Sequence, residues 1–201
     1  MAYIGMRKPK FWPITTRQDG SAIVYGNPVE IGPAVSADVA FDVADNPDYG
    51  DDVIIDNDKG VNGYTVALET NDISKEARAA CLGWKAKSSG SPAAVTHYEI
   101  TGDAAPEGGL SYMRVKLFKG TRKYEAFFFH ALQFSDGNEQ ASTKQRQITW
   151  NHPTMNGTGI GCYIDNSGDV HYFDWMEFDT EAAAEAWINS KGGYTPPSNG
   201  G

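Results

Sequence analysis

Residues 110–134 read LSYMRVKLFKGTRKYEAFFFHALQF, and this stretch decides the fold. Over 110–119, apolar residues alternate with polar and charged ones, which is the period of a half-buried strand. Gly120 permits a tight turn, and residues 122–134 then follow as a second strand. The stretch therefore predicts a β-hairpin.

The second strand of this hairpin is apolar on both faces. Phe127 and Phe129 are predicted to face one way, and three others to face the other way: Phe128, Leu132 and Phe134. Such a strand is typical of a sheet that is buried on both sides. Either the strand is sandwiched centrally within the chain, or an assembly of chains covers one side.

Outside the hairpin, most local patterns also indicate strands. Residues 60–70 alternate between apolar and polar, and residues 142–151 read as an extended, largely polar strand. Residues 159–164 and 170–178 suggest another hairpin, with a turn at 165–168. These strands, separated by turns, are typical of a β-sandwich or β-barrel.

Two short helices interrupt the strands. Asp72 or Ser74 can cap a helix over 75–82, closed by Gly83. Asp179 or Thr180 can cap a second helix, over 181–190. The sequence thus predicts a mainly β domain over 1–201 with one or two flanking short α-helices, ending in a C-terminal helix and a mobile tail over about 179–201.

Length and charge exclude several classes of protein. The chain has 201 residues, enough for one sizeable domain, and a formal net charge of −9 that argues against tight binding of nucleic acid. We expect no membrane span, because no run approaches the roughly 18 apolar residues that one requires, and no secretory signal. The two cysteines, Cys81 and Cys162, are too few for a disulfide framework and are predicted to be buried.

Almost all of the acidity lies in one segment. Between Arg17 and Lys59 there are ten acidic residues and no Lys or Arg, so the rest of the chain sums to −9 + 10 = +1. Residues 42–59 are also rich in turn-forming Asn, Gly and Pro, which predicts a long projecting loop. Loops of more than about a dozen residues are uncommon unless they are functional or disordered. The candidate site residues are its aspartates: Asp42, Asp45, Asp48, Asp51, Asp52, Asp56 and Asp58.

No motif for catalysis or metal binding emerges. The four histidines are far apart, and neither HExxH nor Cys-x-x-Cys spacing occurs. Residues 56–60 open like a calcium loop, but Ala67 stands where the bidentate carboxylate is needed. We therefore predict no cofactor, no metal and no enzymatic activity. A hydrolase built on two converging aspartates stays open as an alternative, although nothing singles out a pair.

A second alternative starts from the tryptophans. Four of them could form a platform on which sugar rings stack: Trp84, Trp150, Trp175 and Trp187. Packing in a core or an interface is the commoner use of Trp. The alternative function is a carbohydrate-binding β-sandwich module of a phage or bacterial surface protein.

Six short motifs follow one another along the chain. They are YIGMRKP at 3–9, YGDDV at 49–53, DKG at 58–60, LETNDI at 68–73, MRVK at 113–116 and TRKYEA at 121–126. In their order and spacing they resemble the major tail proteins (tail tube proteins) of long-tailed, siphovirus-type bacteriophages. The resemblance reaches from about residue 3 to residue 178.

The resemblance implies a structural subunit of the tail tube. Such proteins are β-sandwiches that assemble into hexameric rings, whose inner sheets join into one barrel, and the rings stack into a tube that conducts DNA into the host. It implies that the chain's partners are further copies of itself and other tail proteins (tape measure, tail terminator and distal tail protein), with DNA only as non-specific transiting cargo. The location is the virion tail, after assembly in the host bacterial cytoplasm.

In that family a long loop reaches the adjoining ring, and residues 42–59 match it in position and character. The loop could stack rings, or it could give the lumen an acidic wall that repels DNA. Stacking would need basic partners. The candidates are Arg7, Lys8, Arg114, Lys116, Arg122 and Lys123.

Overall fold

A computed structural model describes residues 2–17, 22–50, 53–89, 95–135, 152–165 and 168–197. Within these ranges the chain is mainly β with two short helices, as the sequence predicts. The strands are β1 (Ala2–Thr16), β2 (Val24–Tyr25), β3 (Val29–Glu30), β4 (Ala34–Gly50), β5 (Val53–Thr70), β6 (Lys85–Ser89), β7 (Val95–Glu99), β8 (Glu107–Phe118), β9 (Thr121–Ser135), β10 (Thr154–Ile160) and β11 (Phe173–Phe178). The helices are α1 (Lys75–Leu82) and α2 (Glu181–Lys191).

Nine of the described strands form one antiparallel sheet. Its order is β2–β1–β8–β9–β10–β5–β4, with β3 beside β1 and β11 beside β9. The predicted central hairpin is confirmed, since β8 and β9 pair from Phe118↔Thr121 back to Glu107↔Gln133. Strands β6 and β7 form a separate two-stranded sheet.

The large sheet bends because three of its strands carry irregularities. Lys8 and Ala131 have positive φ angles of 50° and 49°, in the left-handed region that non-glycine residues rarely adopt. The β8–β9 register also shifts between Gly108 and Leu110. Bulges of this kind bend the bulged strand and increase its twist. The core includes Phe11, Tyr64, Leu68, Leu110, Phe129 and Met155.

From Phe128 onward, both faces of β9 are covered within the chain. Phe129 packs in the core, whereas Phe128 packs against Ala184 and Ile188 of α2. The predicted facing of Leu132 and Phe134 is wrong, because both join the cluster that contains Phe129. The bulge at Ala131 shifts the two-residue alternation by one position, so side chains beyond it change face.

The helices begin and end where their capping residues predict. The Ser74 hydroxyl accepts a hydrogen bond from the Ala77 N–H at 3.1 Å, and α1 spans the predicted residues. Thr180 caps α2 in the same way, accepting from the Ala183 N–H at 3.2 Å. With 8 and 11 residues, neither of these two helices is long enough to cross a bilayer.

Two predictions about the second half of the chain need correction. The hairpin predicted from residues 159–164 and 170–178 is not formed. Strand β10 pairs with β5 and β9, and β11 pairs with β9. The two segments meet at the isolated bridge Cys162↔His171. The C-terminal tail is anchored at its start, because Tyr194 packs edge-on against Trp12 with ring centroids 6.3 Å apart. The strand predicted over 142–151 lies outside the described residues.

The predicted long loop is also wrong, because residues 42–50 belong to β4 and residues 53–59 to β5. These strands pair from Ala34↔Thr70 to Gly50↔Val53. Residues 34–42 of β4 and 63–70 of β5 pair within the sheet, and the same ladder of backbone hydrogen bonds continues through the polar residues beyond them. Since β10 pairs with β5 only over Gly63–Glu69, residues 43–61 leave the sheet as a two-stranded projection, here called the arm.

Candidate assembly surfaces

Four strand segments lie side by side at one end of the sheet: residues 2–7 of β1, 113–118 of β8, 121–129 of β9, and β11. We call them the open sheet. Among the described residues, no strand pairs with the outer edge of 2–7 or with the outer edge of β11. Unpaired edges carry a row of free backbone donors and acceptors that favours pairing with another chain. The open sheet is therefore a candidate site for strand addition.

Each free edge also exposes two consecutive large apolar side chains. Tyr3 and Ile4 on β1 are 54% and 50% exposed, and Trp175 and Met176 on β11 are 51% and 47% exposed. Neighbouring residues on a strand point to opposite faces. Each edge thus offers apolar contact area on both faces of the sheet.

The two faces of the open sheet differ. Helix α2 covers one of them through Phe128, Ala184 and Ile188. On the other, here called the open face, the Arg114 guanidinium lies 3.8 Å from the ring centroid of Tyr3 and 5.1 Å from that of Phe127. Trp175 is directly opposite Phe127 in the ladder and so shares that face. One side chain from each of the four strands therefore forms a row on this face, made of three aromatic rings and one guanidinium: Tyr3, Arg114, Phe127 and Trp175.

Charges on the open face neutralise one another. Glu125, only 3% exposed, pairs with Arg114 at 2.7 Å and with Lys116 at 3.3 Å. Lys116 also bonds Glu177 at 2.6 Å, and these carboxylates, Glu177 foremost, raise the pKa of the ammonium group. Two basic and two acidic side chains balance here, so this network does not itself make the face acidic.

The other candidate basic residues also lie on or beside the open sheet. Arg7 bonds Glu181 of α2 at 2.9 Å, and Lys8 bonds Glu185 at 2.7 Å. Glu185 is shared with Lys10, and the two ammonium groups, Lys10 first, lower the pKa of its carboxyl. Lys123 pairs with Asp179, and Arg122 is exposed near the β8–β9 turn. Of the six candidates, five form ion pairs: two with the sheet, two with α2, and one with Asp179 between β11 and α2.

The described acidic candidates lie on the arm or, in the case of Asp42, directly before it. Asp42 and Asp48 are exposed, and Asp45 bonds Lys59 at 3.4 Å with both side chains more than half exposed. The backbones of Asp56 and Asp58 belong to β5, opposite Asp48 and Asn46, while Asp51 and Asp52 lie outside the described residues. Of the side chains that the structure describes here, those of Asp42, Asp45 and Asp48 form no ion pair with any of the six basic candidates.

Two apolar features of the arm were not anticipated from its acidic composition. Val53, Ile54 and Ile55, the first residues of β5, are 63%, 55% and 70% exposed. At the root of the arm, Phe41, Phe173 and their neighbours line an open cavity of about 460 Å³. Its apolar walls are Phe41, Val43, Val61, Val170 and Phe173. Exposed apolar groups beside acidic ones are typical of interaction surfaces.

A partly buried hydrogen-bonded chain ties four elements together. The Tyr25 hydroxyl lies 2.7 Å from His130 Nδ1, His130 Nε2 lies 3.3 Å from Asp174 Oδ2, and that oxygen lies 2.7 Å from Lys191 Nζ. Burial raises the pKa of Tyr25, so its hydroxyl keeps its proton and is able to donate to Nδ1. His130 first, and then Lys191, lower the pKa of Asp174 to about 2. The chain fastens β11 to β2, β9 and α2.

Little in the described structure supports catalysis. No three described His, Cys, Asp or Glu side chains converge as a metal site would require. Cys81 and Cys162 are buried as predicted, and burial raises the pKa of the Cys162 thiol to about 11. A protonated, buried thiol is a poor nucleophile.

Three of the four tryptophans in the alternative platform are described, and they are separate. Trp175 is exposed on β11, whereas Trp187 packs on Phe178 at 5.9 Å and Trp84 lies under the Arg78 guanidinium at 5.0 Å. No ring contact joins these three, and Trp150 lies outside the described residues. Of the three described tryptophans, Trp175 is the one exposed enough for a sugar ring to stack on it.

No protein-family model matches the sequence, and no curated protein shows significant similarity to it. The assembly surfaces therefore stand on geometry, charge and exposure.

Proposed function

We propose that this chain is a structural subunit of a bacteriophage tail tube, which self-assembles into stacked rings and conducts DNA into the host. The observation that carries the proposal is the open sheet with its two free edges. A subunit with one free edge on each side can add to the next copy on both sides, and a repeated head-to-tail contact closes into a ring or continues as a filament. Six copies per ring is the number that the family resemblance implies.

The arm supplies a second, axial contact. From residue 61 to residue 53 it extends roughly 25 Å beyond the sheet, at about 3.4 Å per residue. Its exposed aliphatic residues, and aspartates left unpaired with the six basic candidates, provide apolar area and charge for a neighbouring ring. The arm takes the stacking role that the sequence assigned to a loop.

Passage of DNA requires a wall that does not hold phosphates. The net charge of −9 and the balanced charges of the open face both meet that requirement. Lumenal repulsion would come from arm aspartates close to the bore, because charges act directly over only about 8 Å at physiological salt. The proposed partners beyond itself are other tail proteins, and the proposed location is the virion tail.

Electron microscopy of concentrated protein tests the proposal. We expect rings or hollow tubes with a regular axial repeat. Ile4→Lys, which places a charge on a free edge, should abolish them. Ile100→Lys, which changes an isoleucine that is 66% exposed against 50% for Ile4 and lies away from that edge, should not. A protein that stays monomeric at every concentration would refute the proposal.

The carbohydrate-binding alternative predicts a different result. Glycan binding that disappears in Trp175→Ala, in a protein that never assembles, would favour it. A hydrolase would require at least one Asp to be essential for turnover.

A further inference from the structure

We propose that neighbouring subunits join through one specific seam, in which residues 2–7 of one copy pair antiparallel with β11 of the next, with Tyr3 opposite Trp175. The inference rests on the proposed self-assembly and names the surfaces and the register that carry it. Both surfaces belong to this chain, so the partner is a second copy.

Strand polarity makes the seam antiparallel. In the open sheet β1 is antiparallel to β8, β8 to β9, and β9 to β11. Because the number of strands is even, the two outer strands run in opposite directions. Copies placed side by side in the same orientation therefore bring antiparallel edges together at every junction, without inverting a subunit.

The contact must join unlike edges for assembly to continue in one direction. Pairing β1 with β1, or β11 with β11, in antiparallel fashion would invert one copy and give a two-fold contact. Pairing β1 with β11 repeats the same contact at every junction, as a ring requires. Charge does not select the seam, because Arg7, Lys8 and Glu177 already form ion pairs within each copy.

The exposed rings set the register. The row of Tyr3, Arg114, Phe127 and Trp175 ends at each free edge in a ring that is about half exposed. Directly opposite residues of antiparallel strands share a face, so Tyr3 and Trp175 can meet only on the open face. Their pairing makes the row continuous from copy to copy and buries both rings. A shift by one residue would put them on opposite faces.

Cysteine cross-linking tests the seam and its register. Tyr3→Cys protein mixed with Trp175→Cys protein should form disulfide-linked pairs under mild oxidation, because directly opposite residues have the required Cβ spacing. The native cysteines are buried and do not compete. The matched control is Glu177→Cys, two residues along β11 on the same face, which should give little product with Tyr3→Cys.

Three results would overturn the seam. Tyr3→Cys cross-linking to itself would show a symmetric β1–β1 contact, and preferential linkage to Glu177→Cys would show another register. The third needs no substitution: amides within 3–5 and within the opposite segment, 173–175, should gain protection from exchange together when the native protein assembles. If the protein assembles but either segment stays unprotected, the proposed seam is refuted and the proposed tube function is not. If the protein does not assemble at all, both proposals are refuted.

Discussion

Replacing Asp174 by Asn should weaken the fold in a way that depends on pH. Asp174 lies at 20% side-chain exposure between His130 and Lys191, and these partners hold its pKa at about 2 against an ordinary value of 3.8. The difference of roughly 1.8 pKa units corresponds to about 2 kcal/mol, at 1.36 kcal/mol per unit. The carboxylate therefore contributes up to about 2 kcal/mol to the free energy of unfolding.

The sign follows from the lowered pKa. A carboxyl group that is more acidic in the folded state stabilises the fold above its unfolded pKa, and this contribution is lost as the pH falls through the folded pKa. The stabilisation should be complete above about pH 5, and it should be lost progressively as the pH falls toward about 1. Asp174→Asn should thus be about 1–2 kcal/mol less stable than the native protein at pH 7, the lower figure allowing for hydrogen bonds that Asn keeps. Most of this difference should be gone at pH 2.

Urea unfolding at a series of pH values measures this difference. Asp38→Asn, at an exposed position on β4, serves as the matched control and should differ little from the native protein at any pH. A gap between Asp174→Asn and the native protein that stays constant from pH 6 to pH 2 would refute the reasoning. It would mean that the amide's shape, and not the lost charge, causes the destabilisation.

Four further predictions concern the core, α2 and, in two cases, the arm. Phe128→Ala, which empties a fully buried position between β9 and α2, should lower the free energy of unfolding in urea by about 3–5 kcal/mol. Phe118→Ala, at a position that is 40% exposed, should lower it far less, and equal losses would contradict the packing described. Thr180→Ala removes the N-cap of α2 and should cost about 1 kcal/mol, with no loss expected if the cap were unimportant. A subunit that lacks residues 44–56 should still be folded, as measured by circular dichroism, and should form rings but no stacked tubes. Normal tubes would show that the arm has no role in stacking the rings. In the native protein, amide hydrogens of the arm should exchange quickly with solvent in free subunits and slowly in tubes, because a lone two-stranded ladder is marginally stable in water. Equal exchange rates in the two states would argue against a role of the arm in stacking.

Features encoded by neighbouring residues could be predicted from the sequence. The β8–β9 hairpin follows from alternation around Gly120, and α1 follows from Ser74 and Gly83 at its two ends. In each case the turn or cap residue lies next to the residues that it orders, so the pattern is readable locally.

Features that depend on distant partners could not be predicted. The arm was taken for a loop because Asp, Asn, Gly and Pro disfavour strands, yet strand preference depends on context and the ladder is imposed by the anchored halves of β4 and β5. The positive φ at Ala131 reversed the facing of Leu132 and Phe134, and no local residue type signals such a bulge. The partly buried chain from Tyr25 to Lys191 spans most of the sequence, so only the folded sheet brings its members together.

The two free strand edges could likewise not be predicted from the sequence. Tyr3 and Trp175 look like ordinary half-buried strand residues until the topology leaves both outer strands unpaired. What the sequence supplied was the expectation that sheets join between copies. The structure supplied which strands are available to do so.

A cryo-electron microscopy reconstruction of the assembled protein, at a resolution that traces strands, would test the account most directly. We predict one unbroken antiparallel sheet around a hollow channel, with the first strand of each copy beside the eleventh strand of its neighbour. A particle in which each copy keeps both outer strands unpaired, or in which the copies touch only through loops, would contradict it.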